Sequence, residues 1–283
     1  MPGREIRFGH SPDPDDAFMY FPLSEGLVDT EGIRFVQVLE GIESLNRRAL
    51  NAELETTAAS VHACAYLADT YAILSCGASM GDGYGPVVVA REPCPADRLR
   101  EMEVAVPGVM TSAYLALRLA VGRFPHVEMP FDRIPAAVAA GEVGAGLLIH
   151  EGQITYAREG LVKVIDLGAW WRERAGGLPL PLGVNLVRRD LGEETMSAVG
   201  RSLGRAIAWS LAHRREALAY AGRFARGLEE PLTDRFVSMY VNDWTRDLGE
   251  SGREAIRLFL AEGRRAEVIP PSAPAGDLVF LEG

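Results

Sequence analysis

A short apolar run ends in a titratable pair at residues 144–151, which read Gly-Ala-Gly-Leu-Leu-Ile-His-Glu. Small and branched apolar residues between polar ones are typical of a strand covered on both faces, as in a parallel α/β sheet. Ligands of such sheets bind outside the carboxyl ends of the strands. A histidine there can act as an acid or a base, because its unperturbed pKa is about 6.5. The pattern predicts that His150 faces a ligand site, and a hydrogen-bonded structural histidine is the alternative.

Residues 10–16 form an acidic turn, His-Ser-Pro-Asp-Pro-Asp-Asp, between a predicted strand and a predicted helix. Carboxylates in the first helical turn accept hydrogen bonds from unpaired N–H groups and interact favourably with the helix dipole. Capping is therefore the first interpretation of Asp13, Asp15 and Asp16. A second is that Ser11 and the carboxylates contact a ligand. A third, metal binding, would need more oxygen ligands than the sequence places here.

Two predicted helices begin at small residues and hydroxyl groups. Such residues are common at the N-cap, where a hydroxyl accepts a backbone hydrogen bond. They also let a ligand approach backbone N–H groups closely, which is how helix N-termini bind anions. Two such starts that faced one another would bind a carboxylate well, so both interpretations stay open. The residues concerned are Ala58, Ala59 and Ser60 in one segment and Thr111, Ser112 and Ala113 in the other.

Charge and composition exclude several classes of function. The 283 residues carry a formal net charge of -10, so a nucleic acid is not an expected partner, because binding it needs a basic surface. Lys163 is the only lysine, and it lies in a predicted strand. The Gly-Lys-Ser/Thr sequence of a phosphate-binding Walker loop does not occur, and Schiff-base catalysis is not expected.

Cysteine and apolar patterns indicate the compartment. Cys64, Cys76 and Cys94 form an odd set without a Cys-x-x-Cys pair, which is typical of free thiols in a reducing compartment. Residues 1–16 contain no apolar signal segment, and no stretch reaches the roughly 18 apolar residues of a membrane span. We therefore expect a cytoplasmic protein with no membrane partner. The oligomeric state does not follow from these patterns.

Strand and helix patterns predict two lobes. Strands alternate with helices, a proline-rich crossing at 93–98 precedes a second α/β pattern, and the chain from Glu193 onward reads as helices followed by a loose tail. A chain that crosses to a second lobe and returns has this order of elements. We expect an α/β protein with a discontinuous first lobe, 1–91 and 187–283, and an inserted second lobe, 92–186. Such an architecture predicts a ligand cleft between the lobes.

A set of short motifs occurs along the chain: HSPDPDDAF at 10–18, MGDGYGP at 80–86, LIHE at 148–151, DLGAWW at 166–171 and LPLPLG at 178–183. Together and in this order they resemble the 1,4-dihydroxy-6-naphthoate synthase family, which acts in menaquinone biosynthesis by the futalosine route. Each motif alone is modest, whereas their shared order is specific. The similarity runs from the first strand to about Asp190, with a looser match through the helical end.

The resemblance implies a two-lobed fold like that of the type II periplasmic binding proteins, used as an enzyme. The family converts cyclic dehypoxanthinylfutalosine into 1,4-dihydroxy-6-naphthoate and releases the sugar-derived fragment, without a metal ion or an organic cofactor. By position, His150 would be the catalytic base. The residues that would line the substrate site are Ala58, Ala59 and Ser60 on one side and Ser112 and Ala113 on the other.

The implied chemistry agrees with the residues of the chain. Ring opening and carbon–carbon cleavage towards an aromatic product need one placed base and donors for a developing oxyanion. Neither a lysine nor a metal ion is required. Two alternatives share the fold: a small-molecule binding protein, and the chorismate dehydratase of the same pathway. The missing signal segment argues against the first, and the turn at 10–16 differs from the signature of the second.

Overall fold

The computed structural model describes residues 4–274 and 276–281. The contacts within these ranges divide the chain into two compact units. The first unit comprises the described residues up to 80, residues 183–253 and those from 272 onward. The second unit comprises residues 81–182 and 254–271.

Both units are built from strands and helices. The strands are β1 Glu5–His10, β2 Arg34–Leu39, β3 Thr56–Ser60, β4 Tyr71–Leu74, β5 Ser79–Gly81, β6 Val87–Ala90, β7 Val104–Val106, β8 His126–Glu128, β9 Ala145–Leu148, β10 Val162–Asp166, β11 Leu180–Arg188 and β12 Phe280–Leu281. The helices are α1 Pro14–Ser24, α2 Ile42–Leu50, α3 Val61–Cys64, α4 Ser112–Val121, α5 Ile134–Ala140, α6 Gly152–Thr155, α7 Leu167–Arg174, α8 Glu193–Ala212, α9 Arg214–Ala221, α10 Glu230–Tyr240, α11 Asp243–Arg246 and α12 Gly249–Arg265. Short 3₁₀ helices lie at Ala96–Arg100, Phe131–Arg133, Tyr156–Glu159, Arg189–Leu191 and Gly222–Phe224. Among the described residues, none of these helices has the length and apolar character needed to cross a membrane.

The sheet of the first unit is mixed, and its strands lie in the order β12-β4-β11-β3-β1-β2. β1 pairs in parallel with β2 and β3, whereas β11 runs antiparallel to β3 and β4. Residues 56–60, expected from the sequence to lead into a helix, form the inner strand β3 and lead into the short helix α3. The whole of β3 is buried, and its run of small residues shows none of the alternation by which a half-exposed strand is recognised.

The sheet of the second unit has the order β10-β6-β9-β7-β8. β9, the strand that precedes His150, is buried throughout. It pairs in parallel with β7 and antiparallel with β6, so the expectation of a parallel sheet is wrong for one of its two neighbours. Strands on both edges and helix α5 packed against β9 exclude water from it, which accounts for its unbroken apolar run.

Helix α1 is almost completely buried, which is why its sequence has no polar face. It packs against α8, α9 and α10, and its Phe18 and Tyr20 side chains are buried completely. Phe8 of β1 meets Tyr20 edge to face, with ring centroids 4.5 Å apart. Full burial of one such side chain stabilises a fold by about 1.5–3 kcal/mol. The helices that follow β11 therefore bury the start of the chain.

The unit boundaries differ from the expected ones at both crossings of the chain. β6 belongs to the second sheet because it pairs with β9 and β10, so the first crossing follows residue 80 rather than residue 91. Most of α12, from residue 254, and the residues up to 271 belong to the second unit, although the sequence pattern placed them in the first lobe. The tail was expected to be loose, but Phe280 and Leu281 pair with β4 as β12.

Candidate functional site

His150 lies just beyond the carboxyl end of β9, in the second unit, and its side chain is half-buried. Its φ of 50° falls in the left-handed region, where Asn, Asp and His are enriched among residues other than glycine. The His150 carbonyl accepts a 3.2 Å hydrogen bond from the Gln153 N–H, which forms the turn into α6. The imidazole packs edge to face on the Phe131 ring, with centroids 4.7 Å apart. A strained backbone at a titratable side chain is typical of a functional site.

The position of His150 depends on the close packing of α5 against β9. A Cβ atom on Gly146, inside β9, would lie 2.5 Å from Ile134 and 2.8 Å from Val138 of α5. Glycine therefore lets the helix approach the strand more closely than a larger residue would. Because the Phe131 turn leads directly into α5, this packing holds the Phe131 ring against the imidazole. The sequence did not indicate a role for Phe131. The available signal was Gly146, because a glycine inside a strand points to the close approach of another element.

The Thr111 segment is a helix start, as predicted. The Thr111 hydroxyl accepts a 3.1 Å bond from the Tyr114 N–H and donates a 2.7 Å bond to the Gly108 carbonyl, so the capping interpretation is confirmed for Thr111. The Ser112 hydroxyl donates a 2.6 Å bond to the Leu182 carbonyl. Both hydroxyls thus have protein partners. Apart from Tyr114, the first turn of α4 has the N–H groups of Ser112 and Ala113, which have no acceptor within the helix.

The Ala58–Ser60 segment leads into a helix, as the sequence suggested, and Ser60 is the N-cap residue of that helix. Helix α3 has only four residues, and the Ser60 side chain makes no capping hydrogen bond to it. Instead the Ser60 N–H donates a 2.8 Å bond to the Asn46 Oδ1, and the Asn46 Nδ2 donates a 3.0 Å bond to the Ser60 hydroxyl. Of the two interpretations left open for this segment, anion binding by the helix N-terminus is not favoured, because α3 is short and the Ser60 N–H is bonded to Asn46. Ser60 remains a candidate through its hydroxyl.

Two buried asparagines were missed by the sequence reasoning. Asn46 fixes Ser60, and Asn185 of β11 accepts a 2.9 Å bond from the Tyr20 hydroxyl and donates a 2.8 Å bond to the Gly77 carbonyl. Both side chains are buried, with at most 1% of their surface exposed. A buried amide needs such partners, since an unpaired one costs about 1–3 kcal/mol. An asparagine on the apolar face of a predicted helix or strand was the signal that could have found them.

The acidic turn caps α1, as the first interpretation of the sequence predicted. Asp13 is the N-cap residue, and its side chain accepts a 3.1 Å bond from the Asp16 N–H. Asp16 accepts a 2.8 Å bond from the Ser11 N–H, and the His10 Nδ1 lies 3.0 Å from the Ser11 carbonyl. All of these side chains, and that of Asp15, are buried. Ser11 thus lies inside a closely bonded turn at the carboxyl end of β1.

Burial shifts the pKa values of this turn in opposite directions, downward for the histidine and upward for two of the aspartates. Burial lowers the pKa of His10 to about 4, so the imidazole is neutral at neutral pH. Burial, together with the negative charge of Asp13, raises the pKa values of Asp15 and Asp16 well above the ordinary range. Groups with strongly shifted pKa values are candidates for acid–base chemistry, although helix caps also show them.

The predicted site residues gather at the strand ends within each unit. β1 and β3 are parallel neighbours, so Ser11 and Ala58–Ser60 follow or end strands at the same edge of the first sheet. β7 and β9 are also parallel neighbours, so the Thr111 turn and His150 leave the same edge of the second sheet. Ligands of α/β sheets bind at this edge.

Trp171 and Gly168, both of the motif at 166–171, pack inside the second unit. Trp171 is fully buried, its Nε1 donates a 3.1 Å bond to the Pro179 carbonyl, and its ring packs edge to face on Phe259 at 5.1 Å. Gly168 of α7 leaves no room for a side chain, because a Cβ there would overlap the Tyr84 carbonyl. Trp171 thus belongs to the core of the second unit.

Comparison with known proteins places these features in a family. A family model described as menaquinone biosynthesis matches residues 6–265. The chain belongs to this menaquinone biosynthesis family. It is 45% identical to a Thermus thermophilus protein named 1,4-dihydroxy-6-naphtoate synthase, over 94% of this chain and 97% of that protein. The family resemblance stated from the motifs is therefore confirmed.

Solved structures show the same fold. A crystal structure of an Archaeoglobus fulgidus protein has 49% sequence identity and a TM-score of 0.90, over 94% of this chain and 98% of that one. The alkanesulfonate-binding protein SsuA from Xanthomonas axonopodis pv. citri has a TM-score of 0.74 at 12% identity, with 100% of both chains covered. At this identity the likeness concerns the fold alone. The family member thus has the fold of the periplasmic binding proteins, as the resemblance implied.

Proposed function

We propose that this family member is a 1,4-dihydroxy-6-naphthoate synthase, a carbon–carbon lyase that converts cyclic dehypoxanthinylfutalosine into 1,4-dihydroxy-6-naphthoate. The observation that carries the proposal is the 45% identity to the Thermus thermophilus synthase over 94% of the chain. The order of the motifs, including those at 10–18 and 148–151, supports the same substrate. The reaction is a base-initiated ring opening followed by carbon–carbon cleavage, and it uses no metal ion or organic cofactor.

In the proposed mechanism His150 is the general base. Three features support this role: its place at the carboxyl end of β9, its left-handed backbone, and the Phe131 ring that orients the imidazole. Lys163, the one lysine, has no role in this mechanism, since it is exposed and its Nζ lies 3.4 Å from the Asp166 carboxylate. Proton removal by the neutral imidazole starts the ring opening.

The proposed substrate contacts come from two kinds of group. Backbone N–H groups of Ser112 and Ala113, in the first turn of α4, suit a carboxylate or a developing oxyanion, and the small side chains leave room for it. Thr111, whose own N–H donates a 3.4 Å bond to the Gly108 carbonyl, is assigned to the lining of the same site. The remaining contacts are assigned to Ser11, Ala58, Ala59 and Ser60. For these the support is their place at one edge of the first sheet and the Asn46 bonds that orient the Ser60 hydroxyl.

We further propose that the enzyme acts in the cytoplasm on a small carboxylate-bearing intermediate, without a nucleic-acid or membrane partner. The three cysteines support a reducing compartment, because Cys64, Cys76 and Cys94 form no disulfide in the described residues. The acidic charge supports the absence of a nucleic-acid partner.

The test is turnover with identification of the product. The purified chain is given cyclic dehypoxanthinylfutalosine as the sole substrate, in buffer with a chelator, and the products are separated by chromatography and identified by mass. We expect 1,4-dihydroxy-6-naphthoate, with the His150→Asn variant as a control. Tight binding without turnover would instead indicate a binding protein, and conversion of chorismate would indicate the dehydratase. Loss of turnover on chelation would contradict the metal-free mechanism.

A further inference from the structure

Three carboxyl groups are buried where β1 ends and α1 begins, and two of them bond to the backbone of the turn. Asp13 accepts the Asp16 N–H, and Asp16 accepts the Ser11 N–H. Asp15 differs from both. Only 7% of its surface is exposed, and its Oδ1 has no hydrogen-bond partner among the described residues. Capping therefore accounts for Asp13 and Asp16 and leaves the Oδ1 of Asp15 unexplained.

The surroundings of Asp15 favour its protonated form. A carboxyl oxygen of Asp15 lies within 4.8 Å of one of Asp13, and two buried negative charges this close together disfavour ionisation of both groups. Burial has the largest effect on the pKa of Asp15 and raises it, and the negative charges of Asp13 and Asp16 raise it further. A carboxylic acid that is kept neutral in this way can donate a hydrogen bond or a proton at neutral pH.

The other charged groups around α1 do not reverse this conclusion. His10 of β1 is neutral, because its pKa is lowered to about 4, and burial raises the pKa of Tyr20, whose hydroxyl is bonded to Asn185. Arg226 donates a 2.9 Å bond to the Pro12 carbonyl. Four arginines on the elements packed against α1 form ion pairs with other carboxylates: Arg214 of α9 with Asp234 of α10, Arg201 and Arg205 of α8 with Glu31, and Arg34 of β2 with Glu5.

His10 provides a second, independent sign of a ligand at this turn. Its Nδ1 lies 3.0 Å from the Ser11 carbonyl, which can only accept, so Nδ1 carries the hydrogen and Nε2 carries the lone pair. Only 1% of His10 is exposed, and Nε2 has no partner in the part of the chain that the structure describes. Buried polar atoms normally have partners. His10 Nε2 and Asp15 Oδ1 can therefore each form a hydrogen bond with a polar ligand.

Resting on the function proposed above, we propose that Asp15 is the general acid of the reaction and that His10 Nε2 accepts a hydrogen bond from a hydroxyl group of the same substrate. His150 removes a proton from the substrate, and the electron pair that this releases forms a new π bond while the ring bond breaks towards an oxygen atom. Asp15 transfers its proton to that oxygen. The step leaves an imidazolium and a carboxylate, and proton exchange with water restores both, so no oxidant or reductant is needed.

The protonation state of Asp15 can be measured without turnover. The infrared carbonyl band of carboxylic acids is compared between neutral and alkaline pH for the wild type, Asp15→Asn and the matched variant Asp16→Asn. We expect the band to disappear at alkaline pH in the wild type and to be weaker in Asp15→Asn at neutral pH. Because Asn at position 16 can still accept the Ser11 N–H through its amide oxygen, Asp16→Asn controls for the turn itself. A band that is unchanged in Asp15→Asn would show that Asp15 is ionised and would overturn the proposal.

The pH dependence of kcat tests the catalytic role. Wild-type kcat should fall at alkaline pH as Asp15 loses its proton. Asp15→Asn should lower kcat by about 10²- to 10⁴-fold, remove this alkaline decline and change KM much less, because the amide still donates a hydrogen bond. Asp16→Asn should keep the alkaline decline. A loss of stability alone would reduce the amount of active enzyme in Asp15→Asn but would leave the decline in place, and that result would refute the assignment.

The outcomes also separate this proposal from the function on which it rests. If the wild type does not turn over the cyclic substrate, the proposed function fails, and the general-acid role in that reaction fails with it. If the wild type turns over and Asp15→Asn keeps both kcat and the alkaline decline, the function stands and only the assignment of Asp15 fails.

Discussion

Replacement of His150 separates its chemical role from its backbone role. Asn tolerates the left-handed φ of 50° but cannot act as a base, so His150→Asn should fold and lose turnover by about 10²- to 10⁴-fold. The lost contact with the Phe131 ring should cost about 0.5–1.5 kcal/mol of unfolding free energy. His150→Val loses the same contact and also places a β-branched residue in the left-handed region, at a further cost of about 1–2 kcal/mol.

The assays are steady-state turnover and chemical denaturation of the wild type and both variants. We expect equal losses of activity in His150→Asn and His150→Val but a clear difference in stability, with the Val variant the less stable. Wild-type activity should also fall as the pH drops and the imidazole is protonated, because the neutral form is the base. A near wild-type rate in His150→Asn would refute the role of His150. Equal stability of the two variants would refute the argument from the left-handed backbone.

Three further predictions concern the rest of the site. Ser112→Pro removes the first N–H of α4 at a position where helices accept proline, so KM should rise severalfold with little loss of stability. The control variant Ser112→Ala keeps this N–H and should leave KM nearly unchanged. Asn46→Leu removes both bonds to Ser60 and should lower the unfolding free energy by about 2–3 kcal/mol in a denaturant titration, and an effect below about 0.5 kcal/mol would contradict the pairing. His10 has a folded-state pKa of about 4, below its unfolded value, so unfolding takes up a proton between these two pH values. The unfolding free energy should therefore fall by about 3 kcal/mol as the pH drops from about 6.5 to about 4. His10→Gln should remove that part of the pH dependence.

Much of the fold could be predicted where the hydrophobic pattern along the chain is clear. The helical pattern after Glu193 and the short strands before His150 and around Lys163 occur where the sequence indicated. The failures have physical reasons. β3 consists of small residues buried on both faces, so no period reveals it, and β6 joins the second sheet through hydrogen bonds to partners far away in sequence. Pairing direction and unit boundaries depend on such distant partners.

The chain by itself determined the family and the chemistry that is available. One lysine, an acidic balance and the ordered motifs exclude several mechanisms and indicate a histidine base without any knowledge of contacts. Only the tertiary structure decided how each polar group is used. It bonds Ser60 to Asn46 rather than to a helix, engages both hydroxyls of the Thr111 segment, and leaves one oxygen of Asp15 open. The reason is that burial and hydrogen-bond partners, which set pKa values and leave atoms open to a ligand, arise between residues that are distant along the chain.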